Sequence, residues 1–568
     1  MWPPGTVILE DPTAATREDI ILQPRPTDDP NDPLNWPQWR KYLNMGLVCF
    51  YVAMVAELIN ASTPTWGPMQ KDLGFSYEIL NDSYAAGCAA LGIGSVILIP
   101  FALKFGRRPL YLFSTIAQFA VSIWSAKMQT VADLMLVNIF QCLFGSLAEV
   151  IVQMTIADVF FVHQRGRMNA FYVWTWLLTS SMGVLVAGFV AQGQGWRWIW
   201  WWNVIILGIT ILLVGFGYEE TKYCPTEPVL TSNMQPTTNN NHPVPSVISD
   251  DAKFATSDIS EAKSMVKKQH QPGTLDTDSV LFQSANENLP ANITTVTINP
   301  NIPKRTYWQR LAIVTTSTSS EPNESFFRHM YQPLILMTTI PAVAYTALVY
   351  GILVGLGDVM STTMSTYLPQ SPYNFNSSQI GLMSLPKMIG VTIGALILGP
   401  MSDWWIVYLS RRRGGVYDPE TRLWCIVPFL PFVPVGALLF GIGLNNDVSW
   451  PVIAVGLALY NVGIAPINTI MITYLTDSYQ DIIGDAVVGV TLSRNTFSTV
   501  FIFALSPWIA KMGLQNVFIV ILVIVCALLM FVGVFIRYGK SFREFSAARY
   551  EYYAARQYRG RDAEQFSH

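Results

Sequence analysis

The stretch from Leu98 to Tyr111, LIPFALKFGRRPLY, separates two long apolar segments. It places Lys104, Arg107 and Arg108 around a turn at Gly106. Lys and Arg beside membrane-length helices stay on the cytoplasmic side, because their translocation is unfavourable. The stretch therefore predicts a short cytoplasmic loop between two transmembrane helices, and it sets the orientation of every other segment.

The composition predicts an integral membrane protein. Of 568 residues, 51% are hydrophobic and 13% are charged, and the apolar residues form uninterrupted runs. The net charge of −3 and the dispersed basic residues argue against a nucleic-acid partner. The six cysteines are scattered and predict neither a disulfide framework nor a metal site. The polar beginning of the chain predicts no cleavable signal peptide.

Twelve apolar segments are long enough to cross a bilayer, which takes about 20 residues. They are Leu43 to Ser62, Tyr84 to Leu103, Leu110 to Ala126, Leu134 to Ala157, Met168 to Val190, Ile199 to Tyr218, Pro333 to Gly357, Ile380 to Met401, Leu423 to Leu444, Val448 to Leu475, Ile483 to Ala510 and Leu514 to Ile536. The clustered cations fall in alternate loops and beyond the last segment. Both tails are therefore expected in the cytoplasm.

The segments divide the chain into five regions. We expect a cytoplasmic tail at 1–42, a six-helix bundle at 43–220, a linker at 221–326, a second six-helix bundle at 327–537 and a cytoplasmic tail at 538–568. The linker is rich in Ser, Thr, Asn, Pro and Gln, which predicts a disordered segment. Within it, the amphipathic piece from Tyr307 to Leu311 either lies on the membrane surface or is plain linker.

The two halves carry an internal repeat. The 28 residues that separate Phe75 from Leu103 also separate Phe375 from Asp403, at an offset of 300 residues. Such repeats are typical of secondary transporters built from two related bundles.

The opening stretch resembles the loop between spans two and three of the major facilitator superfamily, which reads Gly, three residues, Asp, basic, one residue, Gly, basic, basic. Lys104, Gly106, Arg107 and Arg108 match this pattern. The second half keeps the acid, Asp403, ahead of the basic run that begins at Arg411. Arg107, Arg108 and Asp403 are thus expected to form a cytoplasmic latch between helices.

Other motifs resemble fungal twelve-span transporters of the drug:proton antiport group, in particular the branch that includes polyamine and cation transporters. The motifs are Asn35-Trp36-Pro37, Asp158 to Gly166, Gly195-Trp196-Arg197-Trp198, Glu220-Thr221-Lys222-Tyr223, Pro372-Tyr373-Asn374-Phe375 and Pro419-Glu420-Thr421-Arg422-Leu423. The resemblance implies an all-α membrane protein of two pseudo-symmetric six-helix bundles. It also implies a central path lined by spans one, four, seven and ten.

Span four carries polar residues at helical spacing: Asn138, Gln141, Gly145, Glu149 and Gln153. The spacing predicts one helical face that lines either an aqueous cavity or a seam between helices. Relatives in the family usually have Arg at the position of Asn138, and exporters usually have Gly-Pro in span five where this chain has Gly-Val. The two departures weaken the expectations of proton coupling and of export.

Further ionisable residues lie in the other spans, where a charge is costly and points to function. The internal repeat makes Glu57 and Asp358 near-symmetric mates, unless each is a solvated helix end. Asn461 and Asn468 share one face of span ten. Arg494 pairs either with an acid across the cavity or with an acid of its own span.

Two groups of side chains each have two alternative roles. Lys387 contributes either a structural charge or a substrate contact. Tyr350, Trp174 and Trp176 either pack or stack on an amine.

These features predict a secondary transporter of a small organic solute, with an organic cation or polyamine taken into the cell and protons as a candidate coupling ion. A drug exporter on the same fold and a transport-dead sensor are the alternatives. We expect no enzymatic activity, no cofactor, no metal and no nucleic-acid partner. A monomer in the plasma membrane is expected.

Overall fold

The computed structural model describes residues 3–8, 27–223, 302–312, 327–412, 416–479 and 482–554. Most of the predicted linker and the end of the C-terminal tail lie outside these ranges. The helices are α1 Gln38–Asn60, α2 Trp66–Leu73, α3 Tyr77–Phe105, α4 Arg108–Ala126, α5 Val131–Gly145, α6 Leu147–Val159, α7 Val162–Gly193, α8 Arg197–Gly217, α9 Tyr307–Arg310, α10 Arg328–Thr339, α11 Pro341–Tyr367, α12 Ser377–Leu382, α13 Leu385–Arg412, α14 Phe432–Asn445, α15 Trp450–Ser478, α16 Ile483–Met512, α17 Leu514–Met530 and α18 Val532–Ala554. A 3-10 segment, Pro419–Phe429, precedes α14.

Ten helical segments of the described residues are long and apolar enough to cross a membrane, and α17 with α18, bent by 41°, makes an eleventh. α4 occupies the place of the predicted third span. Its apolar run is interrupted by five polar residues, and all five are buried: Ser114, Thr115, Gln118, Ser122 and Ser125. The polar side of α4 therefore faces the protein interior. The membrane-length helices confirm the all-α membrane fold predicted from the sequence.

The helix caps and prolines preserve the internal repeat. Ser76 caps α3 and Asn376 caps α12, and each side chain accepts a hydrogen bond from the backbone N–H three residues later, at 3.3 and 2.9 Å. Pro100 inside α3 and Pro400 inside α13 keep the same offset. The second copy differs in one respect, because its helix is interrupted between α12 and α13.

Helix α16 packs between the two halves. It contacts α11 in the second half and α3 in the first, and its Val487 and Val488 belong to a buried cluster formed otherwise by first-half residues. Glycines allow this close approach. A Cβ at Gly92 of α3 would lie 3.1 Å from Asn495, and one at Gly351 of α11 would lie 3.3 Å from the Arg494 backbone.

The N-terminal residues lie on the second half. Strand β1 (Val7–Ile8) pairs antiparallel with β2 (Val416–Tyr417). Arg543 of α18 donates hydrogen bonds to the Pro4 carbonyl at 2.5 Å and to Thr6 Oγ1 at 3.0 Å. We call this side of the molecule, which also carries the α3–α4 loop, the Arg107 end.

Candidate functional site

Glu149 and Arg494 form an ion pair between the two halves. Arg494 Nη2 donates to Glu149 Oε1, and Asn495 Nδ2 lies 3.4 Å from Glu149 Oε2. Glu149 is 3% exposed and Arg494 is 8% exposed. The two partners predicted for Arg494 were an acid across the cavity and an acid of its own span. In the structure the partner is Glu149, across the interface. Asp485 instead accepts a hydrogen bond from Gln332 at 2.9 Å.

Asp358 of α11 contacts α16, the helix that carries Arg494. Ser498 Oγ of α16 donates to Asp358 Oδ2 at 2.6 Å. Lys387 Nζ of α13 donates to Ser361 Oγ at 2.7 Å. The charges of Lys387 and Asp358 interact through space. Asp358 therefore has a hydroxyl donor in direct contact and an ammonium group nearby.

The two acids belong to one site because α16 holds both. Arg494 and Ser498 are four residues apart, which is about 6 Å along a helix and on one face. Tyr84 of α3 interacts electrostatically with both Asp358 and Arg494. Carboxylates from opposite halves thus meet successive turns of a single helix.

Two further predicted residues have unused acceptors. Gln153 Oε1 and Asn468 Oδ1 are buried, and neither accepts a hydrogen bond from the described residues. Gln153 is one turn beyond Glu149 and lines a small cavity toward the Arg107 end, with Thr476 and Ile483 from the second half. Buried acceptors of this kind are costly unless a donor reaches them.

Span four runs through Ser146, whose backbone stays helical and whose N–H donates to the Cys142 carbonyl at 2.9 Å. The Ser146 side chain also donates, from Oγ to the Leu143 carbonyl at 2.7 Å. A Cβ on Gly145 would contact Val55 of α1, whereas Glu149 faces α16. That the five polar positions share one face lining a cavity stays a prediction.

The asparagines of spans four and ten pack against neighbouring helices. Asn138 Nδ2 donates to the Leu134 carbonyl at 3.0 Å and lies 3.4 Å from Ser83 Oγ of α3. Asn461 Nδ2 donates within its own helix at 2.8 Å. Gln141 is 3% exposed, and its Nε2 has no partner among the described residues.

Glu57 turns away from Asp358 and into the first half. Asn203 Nδ2 of α8 lies 3.4 Å from Glu57 Oε1, and a Cβ on Gly183 of α7 would lie 2.5 Å from Glu57 Cγ. The repeat places Glu57 opposite residue 357 rather than Asp358. One residue rotates a side chain by about 100° around a helix, so the near-symmetric acids point differently.

The predicted loop latch forms with other partners. Gly106 has φ 107°, which a glycine tolerates. Arg107 Nε lies 3.1 Å from Asp158 Oδ2 at the end of α6. The backbone N–H groups of Arg107 and Arg108 donate to the two oxygens of Glu220, at 2.9 and 3.0 Å. The partners of these groups are thus first-half acids. The predicted contact with Asp403, whose side chain lies outside the described residues, stays a prediction.

Two latch candidates in the second half cannot be placed with the others. The backbones of Asp403 and Arg411 belong to α13, but their side chains lie outside the described residues. In the first-half loop, Lys104 Nζ lies 5.6 Å from the Phe105 ring centroid. The second half has its own charge pair at this end, Arg422 with Asp477 at 2.8 Å.

Three contacting residues were missed from the sequence. Ser498 was detectable in principle, because it lies one helical turn after Arg494. Ser361 lies three residues after Asp358, slightly less than one helical turn. A serine in a span carries no charge to single it out. Asp158 was recognised as part of a motif but not as the partner of Arg107.

Comparison with known proteins identifies the family. A model of the Major Facilitator Superfamily matches residues 45–493. The chain belongs to the Major Facilitator Superfamily. An uncharacterized MFS-type transporter of Schizosaccharomyces pombe is 29% identical over 96% of this chain and 94% of its own length. Protein HOL1 of Saccharomyces cerevisiae is 28% identical over 94% of this chain and 92% of its own length.

Other similarities are more distant. The MFS antiporter QDR3 of Candida albicans is 23% identical, over 86% of this chain and 76% of its own length. The solved proton:xylose symporter XylE matches with a TM-score of 0.54 and 11% identity, over 88% of this chain and 97% of its own. Together with the fold, the family makes this chain a multi-pass secondary transporter of small solutes and not an enzyme.

Proposed function

We propose that this transporter carries organic cations, with polyamines as its substrates, into the cell by alternating access. The observation that supports the proposal is the pair of acids that contact α16. Glu149 from the first half contacts Arg494, and Asp358 from the second half contacts Ser498, one helical turn later on α16. Two carboxylates held at successive turns of one helix suit a linear molecule with two or more ammonium groups.

In this proposal Glu149 and Asp358 each bind one ammonium group. Gln153 and Asn468 orient the substrate through their unused acceptors. The Trp176 ring, whose centroid lies 5.9 Å from the Arg494 guanidinium carbon, already faces a cation and offers a second one its π surface.

Protons are the proposed coupling ion. Protonation of Glu149 would remove the charge that holds Arg494, and so release the contact between the halves. A buried ion pair that loses one charge leaves the other uncompensated, which favours rearrangement. The two six-helix bundles, 43–220 and 327–537, would then rock about the site in a plasma-membrane monomer with cytoplasmic tails.

The test is uptake of radiolabelled spermidine by transporter-deficient yeast that express the full chain. Wild-type protein should accumulate spermidine, and an uncoupler should abolish accumulation. Glu149→Gln should reduce uptake at least about tenfold, equivalent to about 1.4 kcal/mol. Glu78→Gln, at an exposed acid of α3, is the matched control and should keep wild-type uptake.

Absence of uptake by wild-type protein that reaches the cell surface would refute the polyamine assignment. An exporter is then the next candidate, since the relative QDR3 is named an antiporter. Hypersensitivity of a deletion strain to toxic cations, with intact nutrient uptake, would support export.

A further inference from the structure

Lys387 is the least expected charge near the site. It lies in the first turn of α13, in a segment long and apolar enough to cross the membrane. A charged side chain there is costly and needs a compensating partner. Its Nζ donates to Ser361 Oγ at 2.7 Å, and its charge interacts with that of Asp358 without a direct hydrogen bond between them.

The two acids of the site are each matched with a cation of the protein itself. Arg494 contacts Glu149 directly. Lys387 stands near Asp358 and is held by a hydroxyl group one turn away along α11. Ser498 donates directly to Asp358 at 2.6 Å. The acid therefore has a neutral donor in contact and a cation nearby that bonds to another group.

The lysine side chain suits a movable charge. Its ammonium group is a point charge on a flexible stem of four carbons. Ser361 and Asp358 lie on the same helix three residues apart, and so within reach of one lysine that changes rotamer. Lys387 can thus exchange between the hydroxyl group and the carboxylate without a change in the backbone.

We propose that Lys387 competes with an ammonium group of the substrate for Asp358, an inference that rests on the proposed function. In the arrangement seen here Lys387 is held by Ser361, which leaves Asp358 open to the substrate. When Lys387 moves to Asp358, it displaces the ammonium group and neutralises the acid, so the carrier returns without an uncompensated charge in its core. Lys387 is a positioning residue that lowers affinity and speeds release.

The experiment compares spermidine uptake kinetics of the full chain with those of Lys387→Gln and Lys387→Arg. Removal of the competitor should lower KM about fivefold or more, and it should lower the maximal rate because release slows. Lys387→Arg keeps the charge and should stay close to wild type. Lys511→Gln, at an exposed lysine of α16, controls for loss of a positive charge.

A raised or unchanged KM in Lys387→Gln, with wild-type uptake intact, would overturn this inference and leave the proposed function standing. No uptake by the wild type would overturn both. If Lys387→Gln does not reach the surface, Ser361→Ala decides the matter. This variant removes the alternative partner of Lys387, so a raised KM supports the competition, and an unchanged or lowered KM refutes it.

Discussion

Glu149 and Asp358 are neutralised in different ways, and the difference defines their roles. Glu149 is in direct contact with Arg494 and so joins the two halves. Asp358 accepts a hydrogen bond from Ser498 at 2.6 Å. Lys387 interacts with Asp358 electrostatically, without a direct hydrogen bond. Separation of the halves must break the first pair, whereas the second lies within one half. In the proposed mechanism, Glu149 is therefore the acid whose protonation is coupled to the conformational change.

A single glycine allows Glu57 to fit inside the first half. A Cβ at Gly183 would lie 2.5 Å from Glu57 Cγ and 2.9 Å from its Cα. Gly183→Ala should therefore lower stability by about 1–3 kcal/mol, because the backbones of α1 and α7 cannot separate freely. Thermal unfolding of the purified protein in detergent measures the change.

Gly193→Ala is the matched control on α7, since a Cβ there meets nothing within 4 Å. It should leave the unfolding temperature unchanged or slightly raised. Equal unfolding temperatures for the two variants would contradict the packing described for Glu57.

At the scale of single residues, the sequence predicted which charged side chains would have polar partners better than where those side chains point. Glu149, Arg494 and Asp358 do lie together, because an ionisable residue in a span must find a partner or water. Glu57 could not be placed correctly, since a one-residue offset changes the direction of a side chain. The partner of Arg494 could not be predicted either, because the sequence does not show how close α6 lies to α16.

At the scale of elements, the Arg107 end is held by buried charges in both halves. Arg543 of α18 is fully buried, and its guanidinium group donates to both oxygens of Glu420 at 2.7 and 2.6 Å. The same side chain contacts Pro4 and Thr6 of the N-terminal segment. Arg543 therefore links α18 to the 3-10 segment and to the residues just before β1.

Arg543→Met should destabilise the protein by about 3–5 kcal/mol, because Glu420 would remain buried without its counter-charge. Thermal unfolding in detergent is the measurement. Arg549→Met, at an exposed arginine one and a half turns later, should change the unfolding temperature little. A variant at Arg543 that unfolds like the wild type would mean that this cluster contributes no net stability.

Span four shows why elements were predicted better than the contacts of their side chains. Hydrophobicity located this span, since crossing a bilayer requires a long apolar run. The bond from Ser146 Oγ to the Leu143 carbonyl was not predictable, because serines inside helices make this bond only in some contexts. The neighbours of the polar residues in this span likewise depend on the packing of other helices.

At the scale of the whole molecule, the repeat predicted the architecture. Caps at Ser76 and Asn376 and prolines at 100 and 400 recur at the offset found in the sequence. The position of α16 between the halves was not predictable, because helix packing across the interface leaves no periodic signal. That helix brings the two acids to one site.

The most direct test of the central claim is competition of spermidine uptake by amines of increasing length. Acids that contact α16 about one turn apart should select molecules that carry two well-separated ammonium groups. We predict that diamines of four or more carbons inhibit at least about tenfold better than monoamines and 1,2-diaminoethane. Asp358→Asn should remove this preference while weak uptake remains. Equal inhibition by monoamines and long diamines in the wild-type protein would contradict the account.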